Sequence, residues 1–350
     1  MNALLTARSN VAVVIARAQI NHFGHGTLFA KALSVADRVI VVLGSAFHAR
    51  DIRNPFTWQE RKQMILLSLP EADQSRVEFI PVRDYYNDAR WLADVKKSVG
   101  AITEHGSTIA LVGHFKADTK YLHQFSGWKL VGVEPEFLVN ATSLRQAYFS
   151  ASNLDVAMMV IGNHVHPNVV EYLRSFACLQ PYQHLCKEWK LVKDYKVKYP
   201  APYHLTADAV VEINDHVLLI QRGSEVDVGY GLWAFPGGFL NPGEQFYDAA
   251  KRELGEETSY CPLASTLDAA LRDSQVFDHE LRSVRGRVIS QAFQFRLGQM
   301  REFPEIKPRS DANNFKFVHK NELACMESVM FEDHIVIADR FYNIFDKAEA

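Results

Sequence analysis

The sequence predicts an α/β protein of two domains, a parallel-sheet domain followed by an α+β domain. Three observations carry this. In the first half, short apolar runs alternate with longer amphipathic ones, the pattern of βαβ units. In the second half, two strand-like runs lead into a Gly/Pro-rich loop and one strong helix. Between the halves lies a stretch rich in Lys, Tyr and Pro, where Pro200 and Pro202 oppose a helix.

The elements follow in order. Residues 11–16 read as a buried strand, 25–36 as a helix and 38–43 as a second strand. Thr57-Trp58-Gln59-Glu60 is a capping box that opens a helix to about residue 69. A strand at 77–82, a helix at 88–105, a strand at 108–113, a short helix at 118–125 and a strand at 129–133 complete the alternation. Strands separated by helices imply a parallel sheet with right-handed crossovers, and ligands then bind beyond the carboxyl ends of the strands. Residues 167–190 read as helical and close the first domain, 1–190. The linker is placed at 191–204 and the second domain at 205–350. There, strands at 207–213 and 216–221 are joined by an Asn214-Asp215 turn. A loop spans 229–243, a helix 246–258, further strands 286–297 and 314–318, and a terminal amphipathic helix 332–347.

Composition bounds the function classes. The 350 residues suit about two domains at ~150 residues each. A net charge of −3 and a pI near 6.5 give no general attraction to nucleic acid or anionic membranes, so no nucleic-acid partner is expected. The four cysteines, Cys178, Cys186, Cys261 and Cys325, form no C-x-x-C pair. Their scatter fits a reducing cytoplasm, not a disulfide framework or zinc site. Residues 1–5 are too short in apolar length for a signal peptide, and no run of ~18 apolar residues predicts a membrane span. Homo-oligomer formation is left open.

The first candidate site is His22-Phe23-Gly24-His25, two imidazoles at i, i+3 just after a strand and at the start of a helix. Helix N-terminal N–H groups favour phosphate, two histidines add donors that can turn cationic, and Gly24 lets a bulky ligand approach. Alone, such a pair reads equally as exposed loop histidines. The surrounding runs are Arg17-Ala18-Gln19-Ile20-Asn21-His22-Phe23-Gly24-His25, Arg53-Asn54-Pro55-Phe56-Thr57-Trp58-Gln59-Glu60-Arg61, Asn87 with Trp91, and Asn140-Ala141-Thr142-Ser143-Leu144-Arg145. Together they resemble the archaeal-type nicotinamide mononucleotide (NMN) adenylyltransferases, with their R-x-Q-P-F-H-x-G-H, R-[DN]-P-F-T-x-x-E-R, N-x-x-W and S-x-T-x-[IV]-R runs, in the same order. The resemblance implies a Rossmann-like HxGH nucleotidyltransferase fold. It implies that His22 and His25 steady ATP phosphates, and that Arg17, Gly24, Arg53, Thr142 and Arg145 bind ATP or its phosphates. Asn87 and Trp91 would hold the nicotinamide ring, with Arg145 joining the histidines in catalysis. Physically, Arg is a bidentate phosphate clamp, Trp offers a stacking face to a cationic pyridinium, and Thr142 is expected to cap a helix. Ala16, Ala18, Ile20, Asn21 and Asn140 depart from the family's usual Gly, Phe, Pro, Phe and Ser, which puts loop geometry in question.

The second candidate site runs from Gly238 through Glu244 to Arg252-Glu253-Leu254-Gly255-Glu256-Glu257-Thr258-Ser259-Tyr260. Glu253, Glu256 and Glu257 fall at i, i+3 and i+4 on one helical face. Such a cluster asks for a hard cation, Mg2+ or Mn2+, with Glu244 able to approach the same ion. Arg252 can pair with a carboxylate and hold it in aim. The alternative is an acidic solvated face. The spacing resembles the Nudix box, G-x5-E-x7-R-E-U-x-E-E-x-G-U, with Ser259 in place of the second glycine. That glycine would end the helix in a left-handed conformation, so a softer helix end is expected. Joined to an adenylyltransferase, the domain resembles an ADP-ribose pyrophosphatase. The run Arg282-Ser283-Val284-Arg285-Gly286-Arg287 is similar to that group's R-S-x-R-G-R segment, which implies that Arg285 or Arg287 holds substrate phosphates.

The resemblances imply a bifunctional enzyme of NAD metabolism acting on ATP, NMN and ADP-ribose. An ADP-ribose-sensing regulator is the competing class; it predicts lost carboxylates and a DNA-binding module. An adenylyltransferase for another phosphate acceptor, with a Nudix domain of different nucleotide substrate, also stays open.

Overall fold

The structure, a computed structural model, is described for residues 9–114, 117–137, 139–223, 228–310 and 312–346, excluding the side chains of 117–120. The leader expectation for residues 1–5 lies outside them. The chain divides into two compact units between Cys186 and Lys187.

The first unit holds β1 (Ser9–Ala16), α1 (Phe23–Val35), β2 (Ala36–Leu43), α2 (Trp58–Leu67), α3 (Glu71–Gln74), β3 (Val77–Pro81), α4 (Asp88–Ile102), β4 (Ile109–Gly113) and β5 (Lys129–Gly132). Helices α5 (Ala141–Ser150), α6 (Leu154–Gly162) and α7 (Pro167–Ala177) follow, and α8 (Gln180–Lys198) crosses the dividing point. All five strands are parallel, in the order β3-β2-β1-β4-β5. Both faces are covered, as a parallel sheet requires. Ala12, Val14, Val39 and Val41 pack with Phe29 and Ala32 of α1. Val11, Val13, Ile40 and Val42 pack with Val95 and Val99 of α4. From β1 the chain builds first to one side and then to the other. The carboxyl ends of β1 and β4 therefore flank the topological switch point, where such sheets bind ligands.

The capping box is present: Glu60 N–H donates to Thr57 Oγ1 at 3.3 Å, and Thr57 N–H to Glu60 Oε2 at 2.8 Å. The helix expected across 167–190 is two helices. Pro181 has no N–H to bond to the carbonyl four residues earlier, at the end of α7, yet suits a helix first turn, so α7 stops and α8 restarts. The expected connector 191–204 is helical over most of its length. Helix α8 runs on to Lys198, and only 199–203 separate it from the next strand, because Pro200 and Pro202 stop the helix only where they stand.

The second unit holds β6 (His204–Ile213), β7 (His216–Arg222), β8 (Trp233–Ala234), β9 (Gly237–Phe239), α9 (Phe246–Thr258), α10 (Ala264–Ala270), β10 (Leu271–Phe277), β11 (Val288–Arg296), β12 (Ala312–His319) and α11 (His334–Tyr342). Its mixed sheet runs β10-β11-β6-β7-β12, with β8 on β7 and β9 on β6. The β6–β7 turn is as expected, with Asn214 and Asp215 both left-handed at φ 51° and 61°. Ala249, Ala250 and Leu254 of α9 pack on Ala207, Ala209, Val211, Phe293 and Phe295. The sequence pattern missed α10 and the mostly exposed edge strand β10. Helix α11 is shorter than the expected 332–347, whose last residue lies outside the described ones.

Candidate functional site

In the first unit the carboxyl ends of the strands are drawn together by one buried cation. Arg61 on α2 donates to Arg17 O at 2.5 Å, Gly44 O at 2.8 Å and Ser45 O at 3.2 Å, so it ties the end of β1 to the end of β2. Burial lowers its pKa to about 10. Gln19 clamps the same loop to the next, donating to Phe56 O at 3.2 Å and accepting from Phe56 N–H at 3.0 Å. The loop is strained. Ile20 is fully buried at φ 77°, and a β-branched residue there costs on the order of 1–3 kcal/mol. A proline could not adopt that φ, so the departure at Ile20 marks a real change of loop path.

His22 precedes α1 as its N-cap residue, and His25 lies in its first turn. Their ring centroids are 4.0 Å apart, and His22 N–H donates to His25 Nδ1 at 3.4 Å. Gly24 leaves room between them: a Cβ there would lie 3.0 Å from His22 Cε1 and press on that ring. Burial, with His164 and His114 adding, lowers the His22 pKa to about 4. Burial, then His22 and His114, hold His25 well below its ordinary value. Both rings are therefore neutral at pH 7. Sequence reasoning missed His114 and His164. His114 follows β4, with Nδ1 2.7 Å from Val133 O and Nε2 3.4 Å from Gly24 O; His164 O accepts from Phe23 N–H at 2.9 Å. The only available signal was the place of His114 at a strand end.

Arg145 on α5 reaches back to this loop. It donates to Gln19 O and to Thr142 Oγ1, each at 3.1 Å. Burial, then the nearby Arg17, with Arg53 adding and Asp51 opposing, lowers its pKa to about 10. Arg17, Arg53 and Arg145 are thus close enough to repel. His22 Nδ1 and Arg145 Nε are buried and meet no hydrogen-bond partner among the described residues. An electropositive cluster with such unmet nitrogens, beside a helix N-terminus at a switch point, is chemically suited to a polyphosphate.

Thr142 does not cap α5; Asn140 does, its Oδ1 accepting from Ser143 N–H at 2.8 Å, because Asn140 holds the extended N-cap position while Thr142 lies inside the first turn. Asn87 caps α4 through Arg90 N–H at 2.9 Å. Trp91 lies edge-on to Tyr121 and Phe125, packed against the sheet core.

In the second unit, α9 carries the carboxylates, and Arg252 organises them. Its Nε and Nη2 donate to the two oxygens of Glu244 at 2.7 and 2.9 Å. Its Nη1 donates to Glu253 at 2.7 Å and Glu256 at 2.9 Å. Glu244 is held down at about 2, chiefly by Arg252 and then by Asn241 N–H. Glu257 is buried and accepts from Gly237 N–H at 2.9 Å. Gly238 lies close to Glu253: a Cβ there would lie 2.4 Å from its Oε1 and displace that carboxylate. The four carboxylates are thus shared between a guanidinium and a backbone donor. Among the described residues no three His, Cys, Asp or Glu side chains form a ready metal-ligating group. The donor set is nonetheless all carboxylate oxygen, the chemistry that hard divalent cations select. Ser259 ends α9 in the left-handed region at φ 58°, and its Oγ donates to Lys307 O at 3.0 Å, so the helix end is tied down rather than soft.

The arginines expected to bind phosphate lie at and near a buried ion-pair network. Arg285 pairs with buried Glu332 at 2.9 Å, and Arg287 is exposed, its carbonyl accepting from His204 N–H at 2.8 Å. Arg282 makes a buried two-point pair with Asp333 at 2.9 and 2.7 Å. Once buried beside a carboxylate, an arginine is held there by the cost of leaving either charge unpaired. This network also contains Asp208, raised to about 6 by burial, and His334, whose Nδ1 accepts from Phe235 N–H at 3.0 Å.

Comparison with known proteins finds relatives of both halves. The NUDIX domain family matches residues 202–338. A nicotinamide/nicotinic acid mononucleotide adenylyltransferase of Acinetobacter baylyi is 34% identical over 180 residues, 51% of this chain and 92% of that protein. A nicotinamide-nucleotide adenylyltransferase of Pyrococcus horikoshii is 28% identical over 46% of this chain and 81% of its own length. The crystal structure of a bifunctional NMN adenylyltransferase/ADP ribose pyrophosphatase from Francisella tularensis, complexed with AMP and a manganese ion, superposes with a TM-score of 0.85 at 33% identity, covering 96% of this chain and 99% of that one. No helix among the described residues is long and apolar enough to cross a membrane.

Proposed function

The chain belongs to the family of bifunctional NMN adenylyltransferase/ADP-ribose pyrophosphatases, an adenylyltransferase half joined to a Nudix hydrolase half, and from this premise we propose the reaction of each half.

The first half joins NMN to the adenylyl group of ATP, giving NAD and pyrophosphate. The observation that carries this is the His22–His25 pair at the switch point, faced by Arg17, Arg53 and Arg145. The 5′-phosphate of the mononucleotide attacks the α-phosphorus in line, and pyrophosphate leaves. No protein nucleophile is needed; catalysis is positioning plus neutralisation of charge. Buried and neutral, the two histidines gain protons when triphosphate charge comes against them. Asn87 and Trp91 are proposed to meet the nicotinamide ring, with Thr142 and the α5 N-terminus at the phosphates.

The second half hydrolyses ADP-ribose at its diphosphate, giving AMP and ribose 5-phosphate. Nudix hydrolases use divalent metals, and Glu253, Glu256 and Glu257, with Glu244 nearby, are the residues that would hold magnesium or manganese here. When bound, the ion supplies Lewis acidity at the diphosphate. Arg252 keeps Glu244, Glu253 and Glu256 converged, and Gly237 N–H fixes the aim of Glu257. The intact carboxylates favour this over a sensor without hydrolysis. The setting we propose is the cytoplasm, with small-molecule substrates.

The test is direct. The protein is incubated with ATP, magnesium and either NMN or nicotinate mononucleotide, and separately with ADP-ribose and magnesium or manganese, and products are separated by chromatography. NAD from NMN, nicotinate adenine dinucleotide where the acid is accepted, and AMP from ADP-ribose are expected. Absence of NAD would overturn the first assignment, and ADP-ribose bound but not cleaved with any divalent metal would overturn the second.

A further inference from the structure

One imidazole at the edge of the first site has no part in the reaction above. His114 is the first residue beyond β4, at the crevice between β4 and β1. Gly113 O accepts from Val133 N–H at 3.0 Å, which lays the chain leaving β5 alongside it. His114 Nδ1 then stands 2.7 Å from Val133 O, and Nε2, across the ring, stands 3.4 Å from Gly24 O. The ring is thus a strut from the β4–β5 side of the sheet to the first turn of α1.

That turn carries both site histidines, and its middle residue has no side chain with which to anchor itself. The Gly24–His25 peptide is planar, so whatever grips its oxygen also sets the direction of its N–H. The oxygen faces His114, and the N–H donates to His22 O at 2.8 Å. His22 N–H in turn donates to His25 Nδ1, which fixes neutral His25 as the tautomer with its proton on Nε2. A shift of the Gly24 carbonyl therefore turns both rings. Other contacts hold the flanks of the turn: Phe23 N–H on His164 O at 2.9 Å, and the Phe23 ring 5.6 Å from that of Phe137. Thr27 Oγ1 also donates to Gly24 O, at 3.0 Å, but Thr27 belongs to α1 and moves with it. His114 reaches the same oxygen from across the crevice. It is also among the groups whose charge lowers the pKa of both His22 and His25, as its nearness to both requires.

We propose that His114 is a positioning residue for adenylyl transfer, holding the Gly24–His25 peptide and through it the aim of the His22 and His25 rings. The inference rests on the adenylyl-transfer reading above and adds to it a third histidine that lies outside the His22–His25 run. Its effect falls on the chemical step. Nucleotides still bind a site whose imidazoles are turned, but the charge that develops is no longer met, and a misplacement of about 1 Å costs about 100-fold.

The experiment uses the full chain and the variants His114→Asn and His114→Gln. The Asn amide nitrogen takes the place of Nδ1 and keeps the bond to Val133 O, while the Gln amide nitrogen takes the place of Nε2 and keeps the reach to Gly24 O. Kinetics measure kcat and KM for ATP and NMN, denaturant melts measure stability, and nitrogen-15 spectra of histidine-labelled protein read the His25 tautomer. His114→Asn should lower kcat roughly 10- to 100-fold with KM and melting little changed. Its two His25 ring nitrogen shifts should move toward each other as the tautomer loosens. His114→Gln should restore most of kcat and the wild-type His25 pattern. Both variants should hydrolyse ADP-ribose as wild type does. Wild-type kcat in His114→Asn, or an equal loss in His114→Gln, would overturn the proposal. Failure of His114→Asn to fold would also overturn it, by making the ring a requirement of the fold. If the wild type made no NAD, the adenylyl-transfer reading would fall, while the nitrogen spectra would still decide whether His114 holds the pair.

Discussion

The two candidate sites hold charge in opposite ways. At the first, two neutral imidazoles and three mutually repelling guanidiniums meet at the carboxyl ends of a parallel sheet. At the second, carboxylates on one helix are drawn onto a single arginine and a backbone N–H. Both suit a diphosphate or triphosphate, yet the first attracts the anion itself, whereas the second needs a cation to mediate. The difference teaches where selectivity comes from: the first half relies on burial to keep its histidines ready to gain charge, the second on a helix spacing that concentrates negative charge.

The largest expected effect separates the two halves. Glu257→Gln removes a charge while nearly keeping shape, and retains an acceptor for Gly237 N–H. ADP-ribose hydrolysis should fall by orders of magnitude while NAD synthesis stays the same; a parallel fall in both activities would break the separation. His25→Ala should do the reverse, removing most NAD synthesis and leaving AMP release intact, and equal NAD synthesis in variant and wild type would undo the site.

A smaller effect sharpens the electrostatic contrast. The His22 pKa is lowered from 6.5 in the unfolded chain to about 4 in the fold. Between those values the unfolded chain binds a proton that the native one does not. Stability should therefore be full above pH 6.5 and decline as the pH falls toward 4, by up to ~1.4 kcal/mol per pH unit for each such histidine. Denaturant melts of His22→Gln should show a shallower acid limb than wild type.

The smallest expected effect concerns Ser259. Ser259→Gly relieves a left-handed residue, worth ~1–2 kcal/mol, but gives up the bond to Lys307 O and frees the unfolded chain. Thermal melts should move by no more than about 1 kcal/mol equivalent, with metal dependence unchanged. A large destabilisation would make the serine a structural requirement of this helix end.

Much of this was legible in the amino-acid order, because the relevant signals are local. Apolar alternation marked the parallel strands, Asn214-Asp215 marked the hairpin turn, and the offsets among Glu253, Glu256 and Glu257 placed three carboxylates on one helical face before any fold was known. His22 and His25 were found the same way, from spacing beside a strand end. What tertiary structure alone decided is which partner each charged group finds. Arg285 reads as an isolated strand arginine until Glu332, 47 residues later, is brought against it. Arg61 reads as a motif arginine until three carbonyls from two strand ends surround it. His114 joins His22 and His25 only because β4 lies beside β1 in the sheet. Helical and strand periodicities are carried by neighbours a few residues apart, whereas ion pairs, ring contacts and pKa shifts depend on distances across the fold, which no local pattern encodes.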